Sequence, residues 1–430
     1  MAPRVPADAN RLPARLAARA IRRGELSSVE LVEACLARIA ERDASVGAWS
    51  YLDRDLARRK ARDADEWQRR GLALGPLHGL PIGVKDVFDT AGMPSEYGSP
   101  SLRGRRPDED ADAVRLLREA GALIIGKTVT SEFGMYAATS CRNPHDATRS
   151  SGVSSAGSAA AVADCMAPLA LATQHTASTL LPASFCGAFG FKPTSGFTSM
   201  RGSNILVPRL ANIGLLARAV DDLALFASVF SRDIPATPAS HQPRRLGIVR
   251  GPAWPKVAPD AEAAFVALLK ALPIPADEIV LPNPFDSAEE VALGLLAAQI
   301  SHRFGAIPAP VQDGYCAALR ESIAAGRKLS AVDMIALDTA ANELAVSADG
   351  LFAYVDALIT LAAPGEATPA SEPGSGALCM PWSLAGLPTI SLPLLRGAQG
   401  FPIGVQLIGA RGKDAMLLSF AAWLSDTAPA

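Results

Sequence analysis

Residues 148–204 carry only four charged side chains, Arg149, Asp164, Lys192 and Arg201, within a dense run of Ser, Thr, Ala and Gly. A solvated linker is rarely so poor in charge. The stretch is therefore either tightly packed core or the lining of an active site, and the fold must supply a scaffold around it. Within it, Ser158 to Met166 predicts a small-residue helix and Pro168 to Ala172 a buried strand. Strand and helix signals alternate on both sides. Leu80–Val84, Ala122–Gly126, 245–249, Ile390–Pro393 and Ile403–Ile408 read as strands. Residues 11–22, 28–42, 53–70, 110–120, 259–271, 287–304, 312–326, 331–347 and Asp414–Leu424 read as helices, with Ser27 and Glu30 forming a capping box for the second. Residues 364–376 are a Pro/Gly-rich loop. This alternation predicts an α/β layered fold.

Composition narrows the function classes. Lys+Arg total 41 and Asp+Glu 43, a formal charge of −2, so no bulk attraction to nucleic acid or anionic lipid is expected. No apolar run reaches the roughly 18 residues of a membrane-spanning helix. The N-terminal stretch has arginines but no signal-peptide core. The six cysteines, at 35, 141, 165, 186, 316 and 379, form no CxxC pair. These features predict a cytoplasmic protein without a disulfide framework.

Several familiar motifs fail. Gly152 to Gly157 has phosphate-loop glycine spacing, but Ser158 stands where the lysine belongs. No G-x-S-x-G nucleophile elbow and no S-x-x-K occurs. The histidines, at 78, 145, 175, 241 and 302, show neither HExxH nor metal-ligand spacing, so no metal site is expected. One residue stands out instead. Lys85 ends the apolar stretch Leu80–Val84 and is followed by Asp86. A strand-end lysine can snorkel to solvent. Alternatively it is desolvated, with a lowered pKa that lets it act as a base.

His78-Gly79-Leu80-Pro81-Ile82-Gly83-Val84-Lys85-Asp86 resembles the lysine motif of the amidase signature family. Gly126-Lys127-Thr128 with Glu132-Phe133, and Ser154 to Val162, resemble the segments that follow it. Pro182 to Gly187, Gly190 to Thr194, Pro381-Trp382-Ser383, Gly386-Leu387-Pro388 and Gly404 to Gly409 continue the pattern in order. The resemblance implies a single α/β/α layered domain over residues 1–430, with a large mixed β-sheet flanked by helices. Its parts would be N-terminal helices over 10–70, a catalytic core over 71–230, a variable helical segment over 250–360, and C-terminal strands and a helix over 377–428. It also implies a Ser–cis-Ser–Lys triad: Ser178 as nucleophile, Ser154 as middle serine and Lys85 as base. Backbone N–H groups of His175, Thr176, Ala177 and Ser178 would hold the oxyanion. Neither metal nor organic cofactor is implied. Neutral lysine is a workable base for serine, as Ser-Lys systems elsewhere demonstrate.

The sequence departs from the family where glycines are expected. Val153 precedes Ser154, Ala156 follows Ser155, and Thr176 and Ala177 precede Ser178. A cis Val153–Ser154 bond would cost about 3–4 kcal/mol, and a positive φ at Ala177 roughly 1–3. Leu180 and Leu181 stand where relatives often carry an arginine that grips a carboxylate. The expected function is therefore hydrolysis of a neutral acyl-nitrogen bond, an amide or a carbamate, through an acyl-enzyme, with esterase side activity. The expected partner is a small-molecule amide, carbamate or ester. The alternatives are a non-catalytic or weakly active protein that keeps the fold, and an amidotransferase subunit.

Overall fold

The computed structural model describes residues 8–429. Residues 1–7, on which part of the signal-peptide expectation falls, lie outside it. Among the described residues eleven strands form one mixed sheet: β1 (Trp49–Leu52), β2 (Pro81–Lys85), β3 (Leu123–Thr128), β4 (Leu169–Gln174), β5 (Phe189–Lys192), β6 (Asn212–Ala217), β7 (Leu246–Ile248), β8 (Ala276–Glu278), β9 (Ala357–Leu361), β10 (Thr389–Arg396) and β11 (Pro402–Gly409). Their order is β1-β3-β2-β4-β6-β5-β10-β11-β9-β7-β8. β2 lies parallel to both β3 and β4, whereas β4–β6–β5–β10–β11–β9 are joined by antiparallel pairs. Every residue of β2, β3, β4, β6, β9 and β11 is buried, because helices cover both faces.

Alternation along β4 builds two cores. Leu169 and Leu171 join the cluster on one face with Ile82, Val84 and Leu215. Ala170 and Ala172 join the cluster on the other with Ala156, Ala159 and Ala160. The charge-poor segment thus supplies a central strand and a helix, Ala156–Ala163, whose small side chains allow close approach. A Cβ at Gly157 would stand 2.5 Å from both the Ala48 carbonyl oxygen and the Val129 nitrogen. A third cluster fills the space beneath helices 288–304, 317–326 and 331–350. The strands expected at 80–84, 122–126, 168–172, 245–249, 390–393 and 403–408 are all present, and the Ser27 capping box forms. The helix expected over 312–326 is broken into Ala309–Gln312 and Ala317–Gly326. Buried Glu132 explains where the second piece begins: its Oε2 accepts the Cys316 N–H at 2.6 Å, at the N-cap.

Candidate active site

β2 and β4 run side by side with Val84 opposite Leu171. Their C-terminal ends therefore emerge together, the usual position for a ligand site in an α/β sheet. Lys85 closes β2, and Thr173 lies near the end of β4. Ser154 and Ser155 immediately precede helix Ala156–Ala163. Ser178 lies in the short turn between β4 and helix Leu180–Cys186. Elements remote in sequence thus bring two serines and a lysine together.

Lys85 Nζ is 2.8 Å from Ser154 Oγ, 2.9 Å from Ser155 Oγ and 2.8 Å from Thr173 Oγ1. Ser154 Oγ lies 2.7 Å from Ser178 Oγ. Lys85 is 0% exposed, Ser154 1% and Ser178 5%. Among the described residues Lys85 takes part in no ion pair, and burial pushes its pKa well below the ordinary lysine value of 10.5. An ammonium can donate to all three hydroxyls. A neutral amine keeps two N–H groups and a lone pair, so one hydroxyl must then donate to it. The Lys85–Ser154–Ser178 line is therefore a hydrogen-bonded path along which a proton can pass in either direction. Of the two expectations for Lys85, the desolvated one matches this placement.

The turn Gln174–Thr179 is held from within. Gln174 Oε1 accepts the N–H of Thr179 at 2.9 Å and of Leu180 at 3.1 Å. The N–H groups of Thr176, Ala177 and Ser178 donate to no loop carbonyl or side chain among the described residues. His175 Nε2 accepts the Leu206 N–H at 3.3 Å. Burial, then the proximity of Lys85, push its pKa down to about 3, so the imidazole is neutral.

Two expectations about the backbone need correction. The described residues contain no cis peptide bond, so Val153–Ser154 is trans. A non-proline cis bond is costly, and a β-branched residue on its N-terminal side adds bulk. Ser154 reaches both neighbours without it. Nor does Val153, Ala156, Thr176 or Ala177 take a positive φ, so the absent glycines impose no left-handed strain. Leu180 and Leu181 are fully buried in an apolar cluster with Val153, Ala177, Phe185 and Cys379, and Tyr136 packs against it.

Thr173, Ser155, Gln174 and Ser383 contribute to the site and were not singled out from sequence. Their one sequence signal is polarity inside otherwise apolar or small-residue runs. No group of three His, Cys, Asp or Glu among the described residues could hold a metal ion. No helix among them is long and apolar enough to cross a membrane.

Sheet and site together define an α/β protein with a buried lysine–serine–serine line at its strand ends. A family model described as Amidase matches residues 30–418, and the chain belongs to this family, the amidase signature enzymes. It is 34% identical to a glutamyl-tRNA(Gln) amidotransferase subunit from Chloroflexus aggregans, over 93% of each chain. A crystal structure of an amidase superposes with a TM-score of 0.90 at 30% identity, covering 97% of this chain and 100% of that one. The structure of 6-aminohexanoate cyclic dimer hydrolase complexed with substrate superposes at 0.84 with 26% identity, covering 98% of both.

Proposed function

We propose that the protein hydrolyses neutral acyl-nitrogen bonds, amides or carbamates, through an acyl-enzyme on Ser178. The observation that carries this reading is the unbroken line from Lys85 through Ser154 to Ser178, at 2.8 and 2.7 Å. Ser178 Oγ forms a bond to the substrate carbonyl carbon while its proton moves to Ser154. Ser154 passes its own proton to neutral Lys85. The N–H groups of the 175–178 turn bind the oxyanion, those of Thr176, Ala177 and Ser178 being free of loop and side-chain acceptors among the described residues. On collapse the C–N bond breaks, and the proton returns through Ser154 to the leaving nitrogen. Water then cleaves the acyl-enzyme. An ester, with a better leaving group, depends less on that returned proton. Leu180 and Leu181 supply no cation, which favours neutral acyl groups. The six cysteines are unpaired, as suits a reducing cytoplasm.

A fluorophosphonate probe tests the assignment directly. It should label Ser178 in the intact protein, and Ser178→Ala should abolish both labelling and amide turnover while leaving the thermal midpoint close to wild type. Wild-type turnover by that variant would overturn the triad. The relatives named as amidotransferase subunits favour a second reading, a chain that works in a complex. Co-purification with a stoichiometric partner, and no hydrolysis by the chain alone, would select it.

A further inference from the structure

We propose that Ser383 is a positioning residue that aims the N–H of Ala177 at the oxyanion, an inference that rests on Ser178 being the nucleophile. Ser383 belongs to the helix Met380–Ala385, far along the chain from the turn it touches. Its Oγ donates to the Thr176 carbonyl oxygen at 2.6 Å and accepts from Gln174 Nε2 at 2.9 Å. The direction of these bonds is fixed by elimination. Gln174 Oε1 is occupied by two backbone N–H groups, from Thr179 and Leu180, so the amide nitrogen must face Ser383. An amide nitrogen only donates. The single hydroxyl proton of Ser383 is thus left for Thr176.

The consequence follows from peptide geometry. In a planar trans peptide the carbonyl of one residue and the N–H of the next point in opposite directions. Drawing the Thr176 carbonyl toward Ser383 therefore turns the Ala177 N–H away from Ser383 and away from Gln174. That N–H has no acceptor among the described loop and side-chain groups. Gln174, Thr176, Ala177 and Ser383 are all buried, so water does not readily replace the hydroxyl. A second brace limits how far the turn can relax. A Cβ at Gly376 would stand 2.4 Å from Ala177 Cβ. The Gly376 carbonyl is itself fixed by the N–H groups of Cys379 and Met380, at the start of the helix that carries Ser383. One segment thus holds the turn twice, by a hydrogen bond and by contact.

The test is the rate at which a fluorophosphonate labels Ser178, read beside kcat and KM for amide hydrolysis. Removing one oxyanion donor costs about 10²–10³ in kcat, so misaiming one predicts a loss of about ten- to hundredfold. Ser383→Ala should show that loss in labelling rate and in kcat, with KM changed by less than about threefold. Ser383→Thr, which keeps the hydroxyl, should recover most of it. Should Ser383→Ala not fold, Ser383→Cys is read the same way, because a thiol keeps the shape and donates weakly. Labelling of the folded variant at the wild-type rate, or a loss confined to KM, overturns the proposal while leaving Ser178 as nucleophile. Absence of labelling at Ser178 in the wild type overturns the underlying reading and this one with it.

Discussion

Lys85 and Lys127 lie on adjacent strands of one sheet and make opposite use of burial. β2 and β3 are parallel, with Val84 opposite Lys127 and Lys85 opposite Thr128. Both side chains are 0% exposed. Lys127 Nζ lies 3.1 Å from Asp86 Oδ1 and donates to the Phe88 carbonyl at 2.7 Å and Ser95 Oγ at 2.8 Å. Burial draws its pKa down, and the Asp86 carboxylate draws it back. Among the described residues Lys85 has three hydroxyl partners and no carboxylate, so burial acts on it unopposed. The partners, more than burial, separate a structural ammonium from a candidate base. Lys192 marks the limit of that rule. Burial lowers it to about 7, yet its Nζ donates to the Pro193 carbonyl, which cannot relay a proton.

The comparison breaks most severely at Lys85. Lys85→Ala should lower amide turnover by about a hundred- to ten-thousandfold, the range of general-base contributions, and ester turnover by less. The neutral amine is the active form. Amide kcat/KM should therefore rise with pH and level off at an inflection below 10.5, the ordinary lysine value. An equal loss on amide and ester, or a rate independent of pH, would remove Lys85 from the relay.

Lys127 should fail in stability. Lys127→Met leaves the buried Asp86 carboxylate without its cation, and breaking such a pair costs about 3–5 kcal/mol. Burial already pushes Asp86 above the usual carboxylate range. A carboxyl whose folded pKa is raised binds more protons when folded, so its stabilisation is present at low pH and lost as pH rises. The deficit of the variant, measured by urea unfolding, should thus be greatest near neutrality and shrink toward pH 4. A deficit that does not vary with pH would mean that lost packing, not the orphaned carboxylate, sets it.

Sequence made the two lysines visible for different reasons. Lys85 was conspicuous because a charged residue ends an apolar strand. Lys127 was visible only as part of a motif, Gly126-Lys127-Thr128. Ser154 and Ser178 were legible through the order of motifs, since a lone serine in a small-residue run carries no signal. Thr173, Ser155, Gln174 and Ser383 were not legible, because their roles exist only once β4, helix 156–163 and helix 380–385 converge. The sheet was read in the same uneven way. β2 and β3 are short apolar runs, and β11 contains the run Ile403–Ile408 that reads as a strand. β9 (Ala357–Leu361) lay hidden at the end of a region expected to be helical, and β6 (Asn212–Ala217) lacks flanking turn signals. The expected cis bond came from resemblance, and the valine before Ser154 is where this chain departs from it.

The apolar cluster that includes the neighbours of Ser154 and Ser178 should set substrate choice. Leu180, Leu181, Val153 and Ala177 pack together, and none of them carries a charge. Arg201 is paired with Asp112, and Arg209 with Asp338 and Asn342. A neutral amide should therefore exceed its length-matched carboxylate analogue in kcat/KM by about tenfold or more. Equal turnover of the acid by the wild type would show that a cation reaches the acyl group from elsewhere.

The smallest expected effect tests the hydroxyl cage itself. Thr173 Oγ1 is one of three acceptors around Lys85 Nζ, at 2.8 Å. Thr173→Val keeps the branched shape and removes only the hydroxyl. An ammonium can use all three acceptors, whereas the neutral amine donates to two, so losing one disfavours the charged form more. The inflection in the pH–rate profile should move to lower pH. The plateau rate should fall by roughly two- to fivefold, because a less basic amine takes the proton from Ser154 less readily. Thr173→Ser restores the acceptor and should restore both features. If the valine variant instead moves the inflection upward, the hydroxyl was donating to a neutral lysine in the resting protein, and the cage holds the base ready by keeping its proton off.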